Sequence, residues 1–335
     1  MGELMSNKRL YQGVDITPPN KLNIFIAIIS IAAALFLLWA TTHIPNIWIK
    51  LLCIFLFSFV GNTLFGFLHE TVHSSFHTNR VINYIFGNIF AAFFPTGFTF
   101  QKRCHLNHHR QNRTDFEMFE AYHDNDSKTL KTIMLYFILT GVYWTNPGIG
   151  ALWLMIHPNS LINGVFSGKK SYKIGRMGGA GMLRHLEGLP KEEMLKMRLE
   201  VFFSLCFQVS LFLLLGLTWW SWLLCYAAFA FQWSGLQYSD HAYTDRDIRN
   251  GAWNLRVSKW TQYFFLNYHH HLAHHQHPHV SWLYLESFVD KSKYRPTYWE
   301  IYFRMWKGLT KVEQQAPKPM DPEFEALINS EDFSN

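Results

Sequence analysis

Charge is missing from the longest apolar stretches of this chain. Between Leu22 and Arg80 the only basic residue is Lys50, and between Glu200 and Asp240 there is none. Charged residues make up 16% of the 335 residues and hydrophobic ones 49%, with 30 Phe and 13 Trp. A water-soluble domain carries nearer a quarter charged residues, so the composition points to a membrane. Cysteine is scarce as well. Cys53, Cys104, Cys206 and Cys225 form no C-x-x-C pair and three lie in apolar runs, which argues against a disulfide framework or a cysteine zinc site and fits a reducing, cytosol-facing protein. The cluster Gly178, Gly179, Ala180, Gly181 follows no strand pattern and so does not read as a nucleotide loop. The net charge of +6 is accompanied by no nucleic-acid motif, and no nucleic-acid partner is expected.

Four apolar runs approach the ~20 residues that cross a bilayer core: 22–40, 47–68, 200–217 and 219–239. The first starts too late and lacks the small-residue cleavage site of a signal peptide. Pro45 and Asn46 turn the first pair, and the second pair reads as another tight hairpin. Both turns are poor in Lys and Arg, so the positive-inside rule puts the termini and the long middle segment in the cytosol, as for a protein of the cytoplasmic membrane. The segments 81–100 and 133–156 are apolar but interrupted, by Asn83, Asn88, Pro95 and Gly97 and by Asn146, Pro147 and Gly148; they are expected to lie in the interface or re-enter it. The sequence predicts an all-α integral membrane protein with four transmembrane helices in two hairpins. One domain is expected over residues 1–315, with a mobile tail over 316–335.

The 18 histidines are concentrated. "GFLHETVHSSFH" carries His69 and His73 around Glu70, the H-E-x-x-H pattern of a zinc protease. "HLNHH" carries His105, His108 and His109. His241 ends the fourth run, and "YHHHLAHHQHP" carries His271, His274 and His275. Under the expected topology all arrive on one side of the membrane. A protease would use His69, Glu70 and His73, leave two H-x-x-H-H clusters idle and need a downstream Asp-Gly ligand pair that the chain lacks. A soluble di-iron carboxylate bundle would use Glu70–His73 and Glu120–His123 but needs two further helix-borne glutamates that the apolar runs do not hold. A metal transporter would bury its ligands at mid-membrane rather than at span ends.

Taken together, the three histidine blocks and the lone histidine between them resemble the membrane fatty acid desaturase and hydroxylase superfamily, over roughly residues 20–290. The resemblance implies four transmembrane helices, a cytosolic helical cap and two iron ions held by His69, His73, His105, His108, His109, His241, His271, His274 and His275. Either His270 or His271 fits the start of the third block, and spacing favours His271. Gln237 matches a position that in acyl-CoA desaturases holds an asparagine near the metal. The implied activity is O2-dependent insertion of a double bond into a fatty acyl chain, with membrane lipids around the enzyme and electrons from an external ferredoxin or cytochrome with its reductase. "HHQHP" and "HETVH" are closer to alkane hydroxylases, which leaves hydroxylation of an alkyl chain as the alternative. Glu70, Asp115, Glu117 and Asp240 are candidates to orient ligand N–H groups, with Glu117 expected to be ordinary solvated charge. Lys102, Arg103, Arg110 and Arg113 are candidates to dock an acidic electron donor.

Overall fold

The computed structural model describes residues 8–156 and 189–318. The glycine cluster at 178–181, His157, His185 and the tail from residue 319 onward lie outside the described residues.

Helix α1 (Asn20–His43) and helix α2 (Ile47–Val72) form the first expected hairpin. Asn46 starts α2, its Oδ1 accepting from the amides of Trp48 at 2.9 Å and Ile49 at 3.2 Å. Small residues on α1, among them Ala27, Ser30 and Ala34, are buried and allow α2 to approach closely. The outer faces are apolar and bare: Phe25 is 62% exposed and Trp48 76%. Such surface in water would invite aggregation and in lipid is at home. Helix α2 continues past the expected end at 68 and carries His69 in its last turns, with His73 as its C-terminal cap.

Helices α3 (Arg80–Phe93) and α4 (Phe98–Gln111) meet at a bend of 91°. Pro95 and Gly97 break the run where the sequence suggests, and the backbone groups freed there need partners in a low-dielectric setting. Helix α7 (Lys191–Leu215) supplies them. Gln208 Nε2 donates to the carbonyls of Ala92 at 2.8 Å and Phe93 at 3.2 Å, and the Ser204 hydroxyl donates to the Thr96 carbonyl. Glu200 accepts from the Thr99 amide at 2.6 Å, the Thr99 hydroxyl at 2.8 Å and the Tyr84 hydroxyl at 2.8 Å. At the inside of the bend Gly87 leaves room for the Phe98 ring, which a Cβ would meet at 2.7 Å.

Helices α5 (Lys128–Thr140) and α6 (Thr145–Ile156) follow. The interruption of 133–156 falls at Gly141, not at Asn146–Gly148. Gly141 has φ +85° and lies against helix α8 (Trp219–Ser239), where a Cβ would be 2.6 Å from the Phe231 amide nitrogen. Pro147 sits in the first turn of α6, where its missing N–H costs nothing.

The second expected hairpin is looser than the first. Helix α7 begins at Lys191, nine residues before the expected span, and packs on α3, α4 and α6, whereas α8 packs on α2 and α5. Long side chains bridge the two, as where Trp222 Nε1 donates to Gln208 Oε1 at 3.0 Å. By length and apolar content, α1, α2 and α7 are able to cross a membrane, and α3–α4 makes a fourth if the bent pair counts as one span. Helix α8, with Trp, Gln, Ser and Tyr spread along its 21 residues, is not among them.

Residues 240–318 fold over one end of this bundle. They include helix α9 (Lys259–Phe264), helix α10 (His271–Gln276) and helix α11 (Tyr298–Met305). A short hairpin of strands β1 (Leu10–Tyr11) and β2 (Val14–Asp15) packs there through Ile16, Val280 and Leu285. Strand β3 (Ala121–Tyr122) pairs in parallel with strand β4 (Thr310–Lys311), in register Ala121↔Thr310, and ties the segment after α4 to the C-terminal part.

Candidate metal centre

The helical meaning of H-x-x-H-H decides how the centre is built. Residues i and i+4 share a helix face, and i+3 points to one side of it. On α4, His105 and His109 are the i, i+4 pair and join His69, His73 and His274; His108 turns away to join His241, His271 and His275. On α10 the roles reverse, with His271 and His275 as the pair and His274 crossing over. The outcome is two groups, one of five imidazoles and one of four, each with nitrogens within 4.8 Å of one another. All nine expected histidines fall in one group or the other. The groups are neighbours: the rings of His109 and His275, one from each, have centroids 4.3 Å apart.

The nitrogens facing inward are Nε2 atoms. His105 and His73 approach at 2.8 Å, His109 and His105 at 3.0 Å, His274 and His109 at 3.0 Å. In the second group His108 and His241 approach at 3.1 Å and His275 and His271 at 3.2 Å. Two donors each ~2.1 Å from one ion and at right angles would be ~3 Å apart, so these spacings suit imidazoles arranged around metal. His69 Nε2 is buried with no hydrogen-bond partner, a cost that a metal bond removes. Burial holds the imidazoles of His241, His271, His274 and His275 well below the usual histidine range; they are neutral at pH 7, the state that binds a metal. Imidazole donors suit iron, zinc and copper.

Several surrounding groups differ from expectation. Glu117 is not solvated charge: its carboxylate is 8% exposed and its Oε2 lies 3.3 Å from His108 Nδ1. Asp240 is buried beside His271, Oδ2 to Nδ1 at 3.4 Å. Glu70 faces away from the ring nitrogens, its Oε2 accepting from Ser75 Oγ at 2.9 Å, Ser281 Oγ at 2.8 Å and the Trp282 amide at 3.2 Å. A protease base would have to be free beside its ion, and this carboxylate is held by Ser75, Ser281 and the Trp282 amide instead. Asp115 accepts from Arg246 at 2.6 Å and bonds His123 at 2.9 Å, outside both groups. Arg113 is buried in an ion pair with Glu120 at 2.8 Å and offers no docking charge, and Arg103 is held by Glu193.

The remaining described histidines stay out of both groups. His270 packs on His269, ring centroids 3.9 Å apart, which leaves His271 as the first member of its block. His77 Nδ1 accepts from the Asn79 amide, His43 Nε2 bonds the Leu215 carbonyl and His277 Nδ1 bonds the Tyr11 hydroxyl; the His279 ring lies edge-on to Tyr11. Two contributors were not foreseen. The Gly251 carbonyl accepts from His241 Nδ1 at 2.9 Å, and a backbone atom leaves no mark in a sequence. Tyr268 packs on both His69 and His271, and its place next to the third block was the only hint. A cavity of ≈ 30 Å³ beside the four-histidine group is lined by His108, Glu117, Phe119, Tyr143, Gln237 and His241, room for a water or two. Gln237 Oε1 is buried without a hydrogen-bond partner.

A helical bundle with apolar outer faces and, at one end, two groups of imidazoles that could hold metal ions has the features of an integral membrane protein with a metal centre. The model of the fatty acid desaturase family matches residues 45–307, and the chain belongs to that family. It is therefore a desaturase-like oxidoreductase of a family that is generally di-iron. Among curated proteins, none matches the chain.

Proposed function

We propose that this enzyme introduces a cis double bond into a fatty acyl chain at a centre of two irons, one held by His69, His73, His105, His109 and His274 and the other by His108, His241, His271 and His275. The observation that carries this reading is the division of nine buried and half-buried histidines, from four separate segments, into two adjoining groups with inward Nε2 atoms. Irons held by these nine histidines would supply the O2 chemistry that removes hydrogen from an unactivated C–H bond. Overall, –CH2–CH2– with O2, two electrons and two protons yields –CH=CH– and two waters.

The chain's own part is to hold and orient. The Gly251 carbonyl fixes Nδ1–H of His241 and so turns its Nε2 inward, and Glu117 does the same for His108. Phe65, Trp233 and Phe265, together with Asn62 and Gln237, line a cavity of ≈ 10 Å³ beside Tyr268, about the size of one water. With α8 as a span beside α1, α2 and α7, the histidines and termini would face the cytosol of a cytoplasmic membrane. Electrons would come from a ferredoxin or cytochrome and its reductase.

Metal analysis of the purified protein tests the centre: about two irons per chain are expected, and one zinc without iron overturns it. Expression with a compatible electron donor followed by mass analysis of total lipid tests the reaction. Loss of two hydrogens is expected. Gain of one oxygen in an otherwise saturated chain replaces desaturation with the hydroxylation that "HHQHP" is reminiscent of.

A further inference from the structure

We propose that Glu117 is a positioning residue that makes the two ion positions electronically unequal, by placing an anionic partner behind the four-histidine group that the five-histidine group lacks. The inference rests on the di-iron reading above.

The asymmetry is in the partners of the rings. His108 presents Nε2 to His241 at 3.1 Å and Nδ1 to Glu117 Oε2 at 3.3 Å. Among its neighbours in the group His241 is also backed by oxygen, the Gly251 carbonyl at 2.9 Å, whereas Asp240 Oδ2 lies 3.4 Å from His271 Nδ1 without a hydrogen bond. In the other group the Nε2 atoms of His73, His105, His109 and His274 approach only one another, and among the described residues no carboxylate pairs with any of its five rings. A carboxylate that accepts Nδ1–H draws the proton toward itself and makes Nε2 a stronger donor, which favours the more oxidised state of the ion it binds. Burial keeps that charge from being screened by water. The four-histidine ion is thereby the first to be oxidised and the last to be reduced.

Glu117 is the residue to test, because Asp240 stands next to His241 and a change there would move the ring itself. Protein loaded with iron-57 is reduced stepwise and followed by Mössbauer spectroscopy, with total iron measured on the same samples. The wild type should show two unequal sites that reduce in two steps. Glu117→Gln keeps shape and loses charge; the later step should move up toward the earlier one, or one iron of the two should be lost through ~10-fold weaker binding at that site. Glu117→Asp should restore the separation. Asp115→Asn, a charge lost nearby but outside both groups, should leave the separation intact. The proposal is overturned if the two wild-type irons reduce together, if Glu117→Gln leaves the two steps unchanged, if Asp115→Asn merges them equally, or if Glu117→Gln and Glu117→Asp both lose all iron. A wild type with fewer than two irons overturns the di-iron reading instead, which the metal analysis alone reveals.

Discussion

Glu70 and Glu120 each stand three residues before a histidine, and both end buried, at 3% and 1% exposure. Their surroundings have little else in common. Glu70 is helical, its carboxylate accepts from two serine hydroxyls and an amide, and His73, at the end of the same helix, enters the five-histidine group. Glu120 precedes β3, its carboxylate meets the Arg113 guanidinium at 2.8 Å, the Tyr243 amide at 3.0 Å and the Tyr238 hydroxyl, and His123 bonds Asp115 outside both groups. A three-residue spacing puts side chains on one side only in a helix; across a short strand, where direction alternates, it does not. The same letters thus bring a histidine into an imidazole group in one place and build an internal brace in the other. One carboxylate is satisfied by neutral donors and the other by a cation.

The sharpest test of this contrast is in iron and turnover. His73→Ala should abolish activity and lower iron content, as should His274→Ala, while His123→Ala should do neither; metal analysis and lipid turnover on the same preparations decide it, and a fully loaded, active His73→Ala protein would break the comparison.

Stability should separate the two glutamates in the other direction. Glu120→Ala leaves the Arg113 side chain, 3% exposed, without its anion and should cost ~3–5 kcal/mol. Glu70→Ala removes one acceptor from neutral donors and should cost ~1–3 kcal/mol. Thermal unfolding in detergent gives the ranking, and equal losses would show that the buried cation adds nothing.

Acid should act through Glu120 as well. Burial alone would raise its carboxyl, but the Arg113 guanidinium and the hydrogen bonds around it hold it below the ordinary glutamate value of 4.5. Its contribution is therefore present above about pH 4.5 and is lost as pH falls through the lower folded value. The acid limb of stability against pH should flatten in Glu120→Ala; an unchanged limb would assign it to other groups. The smallest effect belongs to a histidine outside both regions. His43→Ala removes one bond to the Leu215 carbonyl and should cost ~0.5–1.5 kcal/mol with iron content unchanged, as metal analysis and unfolding together would show.

Much of this was readable along the chain. The two runs of the first hairpin and the run at 200–217 are stretches of mostly apolar side chains, and partition into lipid depends on local composition. The nine histidines were legible because i, i+3 and i+4 spacings fix faces of a helix before it folds onto anything. Local letters also marked the bend near Pro95, where no helix can keep its hydrogen bonds.

What the tertiary structure alone decided is who answers whom. Gly141 rather than Pro147 breaks its segment because α8 passes close enough to exclude a Cβ, and that proximity joins residues remote in sequence. Glu117 is buried against His108 and Arg113 against Glu120 because the segment after α4 folds back on that helix and on the residues that follow α8. The sorting of His108 from His109, and of His274 from His275, follows from the helix, but which group each joins depends on α2, α4, α10 and the end of α8 converging on two points. Periodicity sets the direction of a side chain relative to its own axis; the partner at the end of that direction comes from packing, where burial makes every unpaired charge or donor costly enough to select one arrangement.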